Sequence, residues 1–167
     1  MQKGFTLLEL LVTTSITALM MLAISSLFIT FLATAYKSRI SQNLRESGGN
    51  AMRQMVEMIR SANEISSACA GSPATSLILV GEDGLETTLR EENNHIASVS
   101  ATRTTHLTED NNLSQDSVQN LTFTCYPTQE GKKYIEIDFV LKVGDGEASN
   151  SARSTSLDFG SGVVTRN

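Results

Sequence analysis

The apolar residues divide the chain into three parts. From Leu10 to Tyr36 run 27 residues without an Asp, Glu, Lys, Arg or His. As a helix this run measures about 40 Å, enough to cross a hydrocarbon layer of about 30 Å with some tilt. It is too long for the apolar stretch of a secretory signal, which has about 7–15 residues before a small-residue cleavage site. The expectation is one membrane-spanning helix. Beyond it, Ile40, Leu44, Met52, Met55, Ile59 and Ala62 recur at helical spacing, interleaved with Lys37, Arg39, Arg45, Glu46, Arg53, Glu57 and Arg60. That predicts an amphipathic continuation of the helix to about residue 66, its methionines serving as core. Gly48-Gly49 is the weak point where a bend is expected, and Ala70-Gly71-Ser72-Pro73 supplies the stop.

From residue 67 the period changes to two. Ile135, Ile137, Phe139, Leu141 and Val143 alternate with Glu136, Asp138 and Lys142, which makes Lys133 to Val143 the strongest strand. Leu121, Phe123 and Cys125 alternate likewise and reach it through Pro127-Thr128-Gln129-Glu130-Gly131, a hairpin connection. Ser76 to Val80 and Leu85 to Leu89 flank another, Gly81-Glu82-Asp83-Gly84, while Ile96 to Val99 and Ser156 to Phe159 are weaker candidates. Five or six strands result, and the fold class is α+β: a long N-terminal helix packed against an antiparallel sheet. Thr102 to Gln119 and Gly144 to Arg153 are polar and aperiodic and are expected to be loops.

Composition narrows the function. With 167 residues there is room for about one domain. Residues 1–64 carry six Lys/Arg against four acids, and the rest of the chain seven against fourteen. So acidic a distal part argues against general nucleic-acid binding, which needs Lys and Arg at phosphates, although a local basic patch stays open. Ser and Thr number 38, and Trp is absent. This suits an exported β-rich head better than a large enzyme core. Cys69 and Cys125, the only cysteines, form one disulfide in an oxidising compartment, closing a 57-residue loop and contributing about 4 kcal/mol in the chain-entropy account.

No catalytic constellation emerges. The sequence has no phosphate-binding glycine loop, no Gly-x-Ser-x-Gly and no His-Glu-x-x-His. His95 and His106 lack the neighbours of a metal site and are read as surface or strand-edge residues. Lys132-Lys133 is read as a solubilising pair. No cofactor, metal or catalytic residue is expected.

Two features of the N-terminus need more than a plain anchor. Glu9 sits at the head of the apolar run, where a buried carboxylate costs several kcal/mol unless paired, although one at the membrane edge can also snorkel. Lys3 flanks the run on one side and Lys37 and Arg39 on the other, so positive charge does not set orientation. The stretch Lys3-Gly4-Phe5-Thr6-Leu7-Leu8-Glu9-Leu10 resembles the processing motif of the type IV pilin and pseudopilin family. That resemblance covers the N-terminal third and implies cleavage between Gly4 and Phe5 by a prepilin peptidase on the cytoplasmic side. It also implies methylation of the new Phe5 amine, and pairing of Glu9 with the Phe5 amine of a neighbouring subunit. Gly4 suits the first step, because a residue without a side chain lets an enzyme approach the scissile bond. Many pilins carry a Pro in the outer half of the membrane segment, where this chain has Ser25-Ser26.

The division that follows is a leader at 1–4, a transmembrane and filament-core helix at 5–36, an amphipathic extension at 37–66 and a β-rich head at 67–167. The leading expectation is a minor pilin, inserted once in the inner membrane with its head on the extracytoplasmic side, then packed among other subunits in a surface or periplasmic filament. A pseudopilin of a type II secretion or DNA-uptake system is the alternative. Glu9 argues against the filament-tip subunit, whose family counterpart often lacks this acid. A single-pass membrane protein with a binding head, and a secreted enzyme, are the competing classes.

Overall fold

The computed structural model describes residues 6–67, 70–108, 116–128, 132–143 and 155–166. One helix, α1 (Leu7–Ser61), runs for 55 residues, and two compact units, 1–39 and 40–167, divide within it.

In the first unit the side chains from Leu7 onward are exposed, with only Ala35 partly covered. The hydroxyls here turn inward on their own backbone. Thr13, Thr17, Ser25, Thr30 and Thr34 donate to carbonyls four residues back at 2.7–3.0 Å. Ser26 donates to the carbonyl of Ala23 at 2.9 Å. Such bonds let hydroxyls enter apolar surroundings without an unsatisfied proton. Ser25-Ser26 interrupts nothing, and the helix continues through it.

In the second unit α1 buries Ile40, Leu44, Ser47, Gly48, Ala51, Met55 and Ile59, with Met52 and Ala62 half-covered at the margin. The expected apolar face is therefore present, widened by the small residues Ser47, Gly48 and Ala51. The helix runs through Gly48-Gly49 without a break in its assignment, and Gly48 lies in the core, where the ring of Phe159 occupies the space a Cβ would need. One expectation is corrected: the helix stops at Ser61, short of residue 66. The Ala62 N–H still reaches the Met58 carbonyl at 3.0 Å, but the Asn63 N–H turns to the carbonyl of Val80 at 2.9 Å. Strand β1 (Glu64–Ile65) follows, pairing with Val80 and Leu79. β-branched Ile65 gains more from this pairing, which leaves it 3% exposed, than from another helical turn.

Two antiparallel sheets form the head where one was expected. After β1 come β2 (Pro73–Ala74), β3 (Ser76–Val80), β4 (Glu86–Glu92), β5 (His95–Ser100), β6 (Thr104–His106), β7 (Asp116–Pro127), β8 (Lys133–Val143) and β9 (Thr155–Val164). The orders are β1-β3-β4-β5-β6 and β2-β7-β8-β9, and every pairing is antiparallel. The chain changes sheet between β1 and β2, between β2 and β3, and again between β6 and β7. The expected strands at Ser76–Val80 and Lys133–Val143 appear with those bounds. The expected loop at Thr102–Gln119 instead contains β6 and the start of β7. The expected loop at Gly144–Arg153 lies outside the described residues.

The turns explain the sharp hairpins. Asn93 and Asn94 both have positive φ, 52° and 65°, and join β4 to β5 as the two central residues of a hairpin whose twist matches the strands. At Gly81–Leu85 the Gly81 N–H reaches the Leu85 carbonyl at 2.9 Å, while Asp83 Oδ1 accepts the Leu85 N–H at 3.1 Å. Leu77, Leu79, Leu89 and Ile96 from one sheet and Val118, Phe123, Ile135, Ile137, Phe139, Leu141 and Val163 from the other join the face of α1 from Ile40 to Ile59 in one core. Phe139 and Phe159 stack in it, centroids 5.1 Å apart.

Candidate processing and assembly segment

The described chain begins at Thr6, so Gly4 and Phe5 lie outside the described residues. Thr6 caps α1: its Oγ1 accepts the Glu9 N–H at 3.3 Å, and its carbonyl accepts the Leu10 N–H at 3.2 Å. A Thr three residues ahead of a Glu is a sequence sign of a helix start. This cap was not foreseen, although the Thr-x-x-Glu spacing carried it. Among the described residues the Glu9 carboxylate has no ion pair, and the side chain is exposed on a helix otherwise uncharged to Tyr36. Within α1 an 18-residue window has a mean hydropathy of 2.2 and is 0% buried, so this helix is long and apolar enough to cross a membrane.

The C-terminal end of the head is more closely tied than its polar residues suggested. Lys133 Nζ donates to the Ile65 carbonyl at 2.6 Å, which joins β8 to β1 across the two sheets. This corrects the reading of Lys133 as a solubilising residue. The Lys133 N–H donates to Thr165 Oγ1 at 3.0 Å, and the Thr165 N–H to the Lys133 carbonyl at 2.9 Å. Beside this end lies an open groove of about 400 Å³ lined by Glu57, Arg60, Ser61, Val164 and Arg166. Ser61 donates its hydroxyl to the Met58 carbonyl at 3.1 Å and has no imidazole among the groove residues to activate it. No sequence motif marked this groove.

Cys125 sits on β7, 4% exposed, and its carbonyl accepts the Gly71 N–H at 2.9 Å. Cys69 lies outside the described residues. No free thiol occurs among those described. His95 and His106 come together, ring centroids 5.3 Å apart and edge to face, and His95 Nδ1 is 3.2 Å from Thr108 Oγ1. Thr108 also accepts the Ile96 N–H at 3.2 Å, so the imidazole pair helps close the strand-edge region around β5 and β6. No group of three His, Cys, Asp or Glu able to hold a metal occurs among the described residues.

Residues 1–25 match the model of the prokaryotic N-terminal methylation motif. That is the prepilin signature, and it heads the long apolar helix on which the resemblance rested. The match supports a type IV pilin-like or pseudopilin protein and points to a structural role, and the apolar helix that follows fits a membrane anchor. The chain matches none of the curated proteins and none of the solved structures.

Proposed function

We propose that this chain is a minor subunit of a type IV pilus-like filament. Its N-terminal helix holds it in the inner membrane, with the head on the extracytoplasmic side, until assembly. The observation that carries the reading is the methylation motif at residues 1–25 at the head of a helix whose apolar surface is exposed from Leu7 to Tyr36. A helix apolar on all sides needs lipid or other helices around it. On this reading a prepilin peptidase cuts between Gly4 and Phe5 and methylates the Phe5 amine, and the membrane segment stays on the mature subunit.

Glu9 then serves assembly. In a neighbouring subunit at the correct axial stagger, the Phe5 ammonium meets the Glu9 carboxylate and each neutralises the other in apolar surroundings. Removing one partner leaves the other unpaired, at a cost of roughly 3–5 kcal/mol. The subunits of the filament and the prepilin peptidase are the partners. The motif serves pseudopilins of type II secretion and DNA uptake equally, and the filament from which the processed subunit is recovered separates these systems from a pilus.

Intact mass of the membrane-extracted protein tests the reading: loss of residues 1–4 and one added methyl group are expected. A full-length, unmethylated N-terminus in cells with an active peptidase would overturn it. Glu9→Ala is expected to insert and be cleaved normally while its filament-associated fraction drops sharply. Equal incorporation of Glu9→Ala and the parent chain would remove the assembly role from Glu9.

A further inference from the structure

Three of the four edge strands are short, although β2 covers only Phe123 and Thr124 of the twelve-residue β7. β1 and β2 have two residues each and β6 has three. The fourth, β9, runs for ten residues, and among the described residues it pairs only with β8. Which backbone groups of β9 face outward follows from register. The Thr165 N–H donates to the Lys133 carbonyl, so positions 133 and 165 form a hydrogen-bonded pair. Such pairs alternate along an antiparallel ladder with pairs whose groups point away. With Tyr134 opposite Val164 and the register unbroken to Val143 and Thr155, the outward residues are Val164, Gly162, Gly160, Asp158 and Ser156. Natural sheets protect long edges with Lys, Pro or a bulge. Residues 155–164 contain neither Lys nor Pro, and the bulge of this sheet lies between Gln119 and Thr122, away from β9.

We propose that this edge receives an extended strand from a neighbouring subunit, one that alternates apolar with basic residues. The inner side asks for apolar side chains, because Leu157 and Phe159 lie half-buried at the margin of the core. The outer side asks for cations. It presents Asp158, with Asp138 and Glu136 opposite Gly160 and Gly162, and Lys142 opposite Ser156 is the single base. The two glycines place no side chain of β9 over these carboxylates, although the Tyr134 ring lies over Gly162 and Glu136 is half-buried. A second copy of β9 is a poor occupant, since it brings another Asp158 and no cation to an already acidic surface. That the donor is a neighbouring subunit rests on the filament reading; that β9 pairs only with β8 among the described residues does not.

The test uses the full chain in detergent and a synthetic ten-residue peptide alternating Val and Lys, read by amide hydrogen exchange. At saturating peptide the amides of Ser156, Asp158, Gly160, Gly162 and Val164 are expected to slow by about tenfold or more, while a Val–Glu peptide leaves them unchanged. Asp158→Pro deletes one outward N–H and spares the β8 ladder, so it is expected to weaken peptide binding about tenfold relative to Asp158→Ala. Equal protection by the Val–Glu peptide, or no protection by either, overturns the proposal. Protection before any peptide is added also overturns it: if it is independent of protein concentration the chain closes its own edge, and if it rises with concentration a second copy is the occupant. An unprocessed N-terminus in cells would defeat the filament reading and leave these amide rates unchanged.

Discussion

The ring of Phe159 lies against the backbone of Gly48, so close that a Cβ at that position would overlap three of its carbons. Phe159 is held there by Phe139, stacked at an interplanar angle of 13°, and a retreat would give up that stacking at the margin of the core. Gly48→Ala is therefore expected to destabilise the head by about 1–3 kcal/mol despite the better helix propensity of Ala. At Gly49 no atom lies within 4 Å of the place a Cβ would take, and Gly49→Ala is expected to stabilise by up to about 1 kcal/mol. Urea unfolding of both variants measures the contrast, and equal effects would refute it.

Asn94 occupies the second central position of the β4–β5 turn at φ 65°. Asn94→Val places a β-branched side chain in the left-handed region and is expected to cost about 1–2 kcal/mol. Asn94→Gly is expected to stay within about 0.5 kcal/mol of the parent, because relief of strain offsets the entropy of a freer unfolded chain. Thermal unfolding of the pair distinguishes this backbone effect from loss of a side-chain contact.

Ser47 is 7% exposed, and among the described residues its hydroxyl has no hydrogen-bond partner. A buried unsatisfied hydroxyl costs about 1–3 kcal/mol. Ser47→Ala is accordingly expected to raise stability by about 1 kcal/mol, helped by helix propensity, and Ser47→Val to lower it through crowding of the helix face. A lower melting temperature for Ser47→Ala would show that the hydroxyl is bonded in solution.

A Cys69–Cys125 disulfide is expected in the mature protein. The Gly71 N–H on the Cys125 carbonyl already brings the chain beside β7 two residues past Cys69. Reduction is expected to lower stability by about 2–5 kcal/mol. Alkylation of the unreduced, denatured protein is expected to label neither cysteine, and labelling of both would refute the bridge.

Legibility in the sequence followed how far each element depends on its own residues. Lys133–Val143 was readable because one face is buried and the other wet, so its alternation is written in the side chains. Thr104–His106 was not, since all three residues are exposed and their strand exists only because Ala97, Ser98 and Val99 offer a ladder. β1 and β2 are too short to carry a period. The end of α1 was misplaced because Ile65 fits the helical stripe as well as the strand, and only Leu79 and Val80, distant in sequence, decide between them. The N-terminal motif was legible for the opposite reason, as its pattern is written in consecutive residues and matches over residues 1–25. The groove at Arg60 and Arg166 joins the end of α1 to the end of the chain, and no local pattern announces it.

The core wall supplied by α1 has a consequence for where this protein can be cut. Leu44, Ala51, Met55 and Ile59 are as buried as any strand residue, and Ile40 nearly so, so the β-rich part is not a detachable cargo on a generic stalk. A soluble fragment that starts near Ile40 keeps the hydrophobic wall and is expected to fold. One that starts after Ser61 bares the inner faces of both sheets and is expected to aggregate. Transplanting the head onto another helix would likewise fail unless the last turns of α1, about six of them, came with it.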